Sequence, residues 1–187
     1  CIRDSGQTLG YRVGFSIYDT GDSLAAMKRA YARVGIDPKL ISPKGVLSQI
    51  DRLKNNYVDP DAYRAKVSSY DEHASTLADL YSAYQDELFK ANAMDFGDLL
   101  CNTLSLLRLN SPVCEHYQNR FRHILVDEYQ DTNRVQYLLV KLLAGYHQNL
   151  CVVGDDDQSI YAFRGATIDN ILSFQKDYPA AKVITLS

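Results

Sequence analysis

Ile124-Leu125-Val126-Asp127-Glu128-Tyr129-Gln130-Asp131-Thr132-Asn133 and Cys151-Val152-Val153-Gly154-Asp155-Asp156-Asp157-Gln158-Ser159-Ile160-Tyr161-Ala162-Phe163-Arg164-Gly165-Ala166 are two short apolar runs. Each breaks into an acidic turn that carries a glutamine. Such runs, rich in Val, Ile and Leu and bounded by polar turns, read as strands. A helical segment at about 134–144 separates them, and a third apolar run at 182–186 follows another helical segment at about 168–178. This alternation predicts an α/β arrangement whose parallel strands are buried on both faces.

The chain before Arg122 has a different character. Residues 1–21 read as loop or short extended structure, with alternation around Tyr11–Tyr18. Asp22 is placed to cap a helix with the stripe Leu24, Met27, Tyr31 and Val34, closed by Gly35. Ser42-Pro43 opens a second helix, with Val46, Leu47, Ile50 and Leu53 on one face and Asn55-Asn56 at its end. Asp59-Pro60 opens a short third. A long helix from about Glu72 to Ala91 carries Leu77, Leu80, Tyr81, Tyr84 and Leu88. Asp95 caps the next, and Ser111-Pro112 begins another. The expected organisation is therefore an all-helical insert over residues 1–90, followed by part of a parallel-sheet domain over 91–187.

With 187 residues and 46% hydrophobic content the chain can bury a real core. Its net charge of −3 gives no global attraction to nucleic acid or anionic lipid, so any DNA contact must come from a local patch. Basic and acidic side chains balance over 1–90, and the acidic excess lies in 91–187, with the two turns. The four cysteines form no CxxC pair and the four histidines no HExxH pattern. Reduced thiols in a cytoplasmic protein are the expected state, not a zinc site or a disulfide framework. No apolar run reaches the roughly 20 residues of a membrane span. The chain opens at Cys1 without a leader, as a cut-out or processed piece would.

Ligands of open parallel sheets sit beyond the carboxyl ends of the strands. Asp127-Glu128 and Gly154-Asp155 fall there. Phosphoryl transfer to water needs a magnesium ion and a group that orients or deprotonates the water. Asp127 suits the first task, through the ion's own waters, and Glu128 the second. An isolated Asp-Glu pair is more often a solvated strand end, but the second turn changes the balance. Gln158, a neutral amide just past a Gly-Asp strand end, suits a contact to a terminal phosphate. Asp156 and Asp157 read as solvated loop. Tyr161, Phe163 and Arg164 suit stacking on unpaired bases together with a phosphate contact. The bland alternative, in which Ile160 and Phe163 pack into a core, stays open at this point.

At these residues the chain closely resembles superfamily 1 DNA helicases of the UvrD/PcrA/Rep family. Val126–Asn133 resembles their motif II, and Val153–Tyr161 with Phe163–Ala166 resembles motif III. Met94-Asp95-Phe96-Gly97-Asp98-Leu99-Leu100 resembles the helix that re-enters the first motor domain. Tyr129 and the 136–143 segment lean towards Rep-like members. Over 1–93 the likeness rests on the order of elements and on Phe15–Asp19.

The resemblance implies a parent that is an ATP- and magnesium-dependent motor. It would translocate 3′→5′ on single-stranded DNA and act at single-strand/duplex junctions. Residues 1–90 would be the inserted 1B subdomain, and 91–187 the later part of the RecA-like domain 1A. Gln130 and Asp131 would support the ATP site, Gln158 would contact the γ-phosphate, and Tyr161, Phe163 and Arg164 would face DNA. Phe163 stands where many members have Trp, and Gly97 where Asp is common. No GxxxxGK(S/T) phosphate loop occurs in these residues, so the 187 residues alone are expected to be inactive. Two other readings remain at this level: a non-catalytic module that binds DNA or protein, and part of a helicase–nuclease.

Overall fold

The computed structural model describes residues 2–68, 70–155, 174 and 176–184. By compactness the chain divides into two units, Cys1–His116 and Tyr117–Ser187.

The first unit begins with a four-residue helix α1 (Ile2–Ser5), a 3-10 turn (Gly6–Leu9) and a two-residue strand β1 (Ser16–Ile17). Then come α2 (Thr20–Val34), α3 (Pro43–Asn55), α4 (Pro60–Arg64) and α5 (Glu72–Lys90). A second short strand, β2 (Ala93–Met94), leads into α6 (Phe96–Leu109) and α7 (Ser111–Arg120). The helices start where a short side-chain oxygen takes an orphan backbone N–H. Ser42 accepts from Gly45 at 3.4 Å, Asp59 from Ala62 at 2.7 Å and Asp95 from Asp98 at 2.8 Å, at the positions the sequence marks. The start of α2 differs from expectation. Asp19, not Asp22, is the cap, and Asp22 reaches back to the Asp19 N–H as the other half of a capping box. Two satisfied donors outweigh the single bond that a start at Asp22 would supply.

The core of this unit is the α2–α5 contact. Ala26, Met27, Ala30 and Tyr31 pack with Leu77, Leu80, Tyr81, Tyr84 and Leu88, and α3 adds Val46 and Ile50. The spacing of three and four puts each set on one helix face. The buried tyrosines keep partners for their hydroxyls, as buried phenols must. Tyr31 donates to Ile41 O at 3.2 Å, Tyr81 to Val58 O at 3.0 Å and Tyr84 to Asp95 Oδ2 at 2.9 Å. β1 and β2 pair in parallel, Ser16 with Ala93 and Ile17 with Met94. The chain thus enters and leaves the α2–α5 helices side by side. α6 packs on α1 and α3, so this compact unit continues beyond residue 90.

The second unit contains β3 (Ile124–Val126), a 3-10 turn (Tyr129–Asp131), α8 (Arg134–Ala144) and β4 (Leu150–Val152). β3 and β4 are parallel in the register Ile124–Leu150, Leu125–Cys151, Val126–Val152. α8 starts at a capping box formed by Asn133 and Gln136. The expected burial on both faces is not met among the described residues. Ile124 and Val126 are half-buried, and Leu125 is 78% exposed. Residues 181–184 are not a strand, so the third run does not form one over its described part. Most of the 168–178 segment lies outside the described residues, although Phe174, Lys176 and Asp177 are helical.

Candidate functional site

β3 and β4 run in the same direction, so the two acidic turns emerge at the same end of the pair. The ladder continues past the strands: Val153 N–H donates to Val126 O at 2.8 Å, and Tyr129 N–H donates to Val153 O at 2.9 Å. Asp127 and Glu128 are both exposed there, as are Gly154 and Asp155.

The turn between Asp127 and Asp131 is tightly specified. Glu128 has φ 50 and ψ 44, the left-handed region that a non-glycine residue enters at a cost. Three bonds hold it there. Its N–H donates to Asp127 Oδ1 at 2.9 Å, its carbonyl accepts from Asp131 N at 2.9 Å, and its Oε2 accepts from Gln130 Nε2 at 2.7 Å. Gln130 is 1% exposed, and its own Oε1 accepts from the Asp155 backbone N–H at 3.1 Å. Asp131 Oδ1 is buried without a hydrogen-bond partner among the described residues. Thr132 Oγ1 closes the turn by donating to Tyr129 O at 2.7 Å.

Behind the turn, the buried Tyr129 ring meets Phe174 edge-on, with centroids 5.7 Å apart, and burial pushes its hydroxyl above the ordinary tyrosine range. Phe174 in turn packs on Tyr178, 5.0 Å away. Tyr137 donates to Asp177, which also accepts from Lys141 at 2.6 Å. These bonds hold the Asp177 carboxyl below its usual range.

Of the residues singled out from sequence, Asp127, Glu128, Gln130 and Asp131 are brought into one turn. Gln158, Tyr161, Phe163 and Arg164 lie outside the described residues. The carboxylates fit magnesium in one manner. Among the described residues no group of three His, Cys, Asp or Glu side chains could hold a metal. A single exposed carboxylate suits an ion that keeps most of its waters.

The sequence reading passed over a second charged constellation, in the first unit. Lys54 is 3% exposed, and its Nζ lies 2.7 Å from both Asp95 Oδ2 and Asp98 Oδ1. Gln85 Nε2 donates to Asp98 Oδ1 at 2.9 Å. Burial pulls the Lys54 ammonium down, but the Asp98 and Asp95 charges outweigh it and leave the group above the usual lysine value. Burial also raises Asp95, yet Lys54 brings it below the ordinary carboxylate value. Asp98, deeper and beside a second carboxylate, stays above that value. The available signal was a lysine one residue past Leu53, on the apolar side of α3. A groove of about 410 Å³ in the same unit is lined by Tyr18, Leu24, Leu47, Ile50 and Phe96 among others, and by none of the residues of the acidic turns.

Comparison with known proteins adds three findings. The family model described as the UvrD/REP helicase N-terminal domain matches residues 1–179. The ATP-dependent DNA helicase PcrA of Bacillus subtilis (strain 168) is 47% identical over 185 residues, which cover 99% of this chain and 25% of that protein. The ATP-dependent DNA helicase UvrD1 of Mycobacterium leprae (strain TN) is 45% identical over 188 residues, covering 95% of this chain and 24% of its own length. The chain thus spans about a quarter of the length of the curated relatives it matches. Among the described residues, no helix is long and apolar enough to cross a membrane.

Proposed function

The chain belongs to the UvrD/REP helicase N-terminal domain family, and from that membership we propose that it carries the hydrolytic turn of an ATP-driven DNA helicase. The observation that carries this reading is the placement of Asp127 and Glu128. They are exposed, adjacent and at the carboxyl end of a parallel strand pair, with Gly154-Asp155 beside them. In this reading β3 and β4 are neighbours in a RecA-like sheet. Residues 1–90 are the helical 1B subdomain, and 91–187 the later part of the motor domain 1A. The pairing of β1 with β2 supports an insertion, because it brings the two ends of the α2–α5 segment together.

Asp127 would hold a magnesium ion, which would supply neutralisation of phosphate charge. Glu128 orients the attacking water at the γ-phosphate of ATP and takes its proton. Asp131, whose Oδ1 is buried with no hydrogen-bond partner among the described residues, ends the same turn. The second acidic turn is the route from the nucleotide to single-stranded DNA. Gln158 senses the terminal phosphate, and Tyr161, Phe163 and Arg164 contact the DNA strand. Because the 187 residues contain no GxxxxGK(S/T) loop, they do not turn over ATP by themselves. Backbone N–H groups of such a loop form the main phosphate cradle.

The test is Glu128→Gln in the helicase that carries this chain, assayed with saturating single-stranded DNA. We expect kcat for ATP to fall by about 10²–10⁴-fold, the range for loss of a general base. Affinity for a fluorescent ATP analogue should stay within about twofold, since a base need not contribute ground-state binding. A near-normal kcat would remove Glu128 from this role.

A further inference from the structure

We propose that Gln130 is a positioning residue for Glu128, tying the water-orienting carboxylate to the backbone of the second acidic turn. The inference rests on the role given to Glu128 above.

The geometry is that of a two-ended clamp. A glutamine amide offers one accepting oxygen and one donating nitrogen in a single plane. Here the nitrogen donates to Glu128 Oε2 at 2.7 Å and the oxygen accepts from Asp155 N at 3.1 Å. The partners fix which end is which, because an ionised carboxylate only accepts and a backbone N–H only donates. Both ends are engaged within the protein, on a side chain that is 1% exposed.

Its two partners belong to different turns. Glu128 follows β3 and Asp155 follows β4, and the Gln130 side chain bonds to both. A shift of the Asp155 backbone therefore moves the amide, and the amide moves the carboxylate. The left-handed backbone of Glu128 makes this control effective: the residue sits in a sparsely populated conformation that persists because its surroundings hold it. Among the described residues of the two turns, Asp127, Asp131 and Asp155 are the other carboxylates. The neutral Gln130 amide holds the Glu128 carboxylate without cancelling its charge.

Gln130→Met keeps the side-chain length and removes both bonds. Glu128 and Asp155 lie on exposed residues, so water can satisfy them and the variant should fold. We expect kcat of the DNA-stimulated ATPase to fall by about 10–100-fold, the value of a hydrogen bond to a charged group. KM for ATP should stay within about twofold, the signature of a residue that acts on the transition state. In a Glu128→Gln background, Gln130→Met should cost little further, because both changes act through one carboxylate.

Two results would overturn the proposal. One is an unchanged kcat in Gln130→Met. The second is a loss that appears as a raised KM, which would place the amide on the nucleotide. Failure of the Glu128 reading itself is separate, since it shows as near-normal turnover in Glu128→Gln alone.

Discussion

Replacing Lys54 by methionine strips the ammonium from a buried site that holds two carboxylates. Lys54 is 3% exposed, and its Nζ sits 2.7 Å from Asp95 and from Asp98. Methionine fills nearly the same volume, so packing is largely kept and the change is electrostatic. What remains is a pair of close carboxylates, with Tyr84 donating to Asp95 at 2.9 Å and Gln85 donating to Asp98 at 2.9 Å. Breaking a buried ion pair from one side costs about 3–5 kcal/mol. A ceiling comes from the alternative of protonating one carboxylate. From an ordinary pKa of 3.8 that route costs about 4 kcal/mol at pH 7, at 1.36 kcal/mol per unit. The expected loss is therefore about 3–4 kcal/mol at pH 7.

The same reasoning sets the pH dependence. In the variant each unit of acidification makes the proton cheaper by about 1.4 kcal/mol. In the wild type, Asp95 is held below 3.8, so its contribution is present above that pH and is lost below it. Asp98 is raised and runs the other way, favouring folding most when protonated. Lys54 is raised above 10.5, so its contribution is present below pH 10.5 and disappears as pH climbs through the folded value. The gap between wild type and Lys54→Met should therefore narrow by about 2–3 kcal/mol from pH 7 to pH 5. The wild type alone should lose stability above pH 10.5 on account of Lys54. Urea unfolding followed by far-UV circular dichroism at pH 7, 6 and 5 measures this. A loss under about 1 kcal/mol at pH 7, the range of an exposed pair, or a gap that ignores pH, would refute the reasoning.

Two further predictions concern the same unit and the thiols. A Cβ added at Gly97 would lie 2.8 Å from Lys54 Cδ and 3.1 Å from its Cβ. The lysine is tethered at both ends, so Gly97→Ala should cost about 1–3 kcal/mol despite alanine's better helix propensity, as read from the urea midpoint. Burial pushes the Cys101 thiol up to about 12, and Cys114 is buried, whereas Cys151 is exposed. Iodoacetamide at pH 8 followed by peptide mass mapping should therefore label Cys151 well before Cys101 and Cys114.

The helix starts at Ser42, Asp59 and Asp95 were legible because a cap is a local device: one short side chain meets an N–H three residues on. Around α2 the same rule had two acidic candidates, and choosing between them required the reciprocal bond between Asp19 and Asp22. The parallel strands β3 and β4 were legible from their apolar runs. Alternation around Tyr11–Tyr18 marked short extended structure where β1 lies, but β2 is two residues long and shows none, and their pairing depends on the chain returning after four helices. Lys54 is hidden for a related reason. Its partner Asp95 lies 41 residues on, and a lysine beside an apolar stripe reads by default as one whose head reaches water. In the second unit the strand ends exposed Asp127 and Glu128 to inspection. The positive φ of Glu128 has no sequence signal, since glycine or asparagine is the usual occupant. The role of Gln130 needs the β3–β4 register, which brings the N–H of Asp155 alongside.

The two acidic constellations also show why shifted ionisation is a poor guide on its own. Strongly perturbed carboxylates are often taken to mark functional sites, and by that measure Asp95 and Asp98 would stand out. Their setting argues the reverse. They are buried, they share the Lys54 ammonium, and Tyr84 and Gln85 bind them further, so little of their charge is left to act on anything else. Such a node ties α3, α5 and α6 together. Asp127 and Glu128 are exposed instead, and among the described residues no cation pairs with either. Neutral donors hold them: a backbone N–H for Asp127 and the Gln130 amide for Glu128. Neutral donors orient a carboxylate while leaving its net charge intact, which is the condition for binding a cation or taking a proton from water. A cation fixed at position 130 would aim Glu128 equally well and would cancel the charge the chemistry needs.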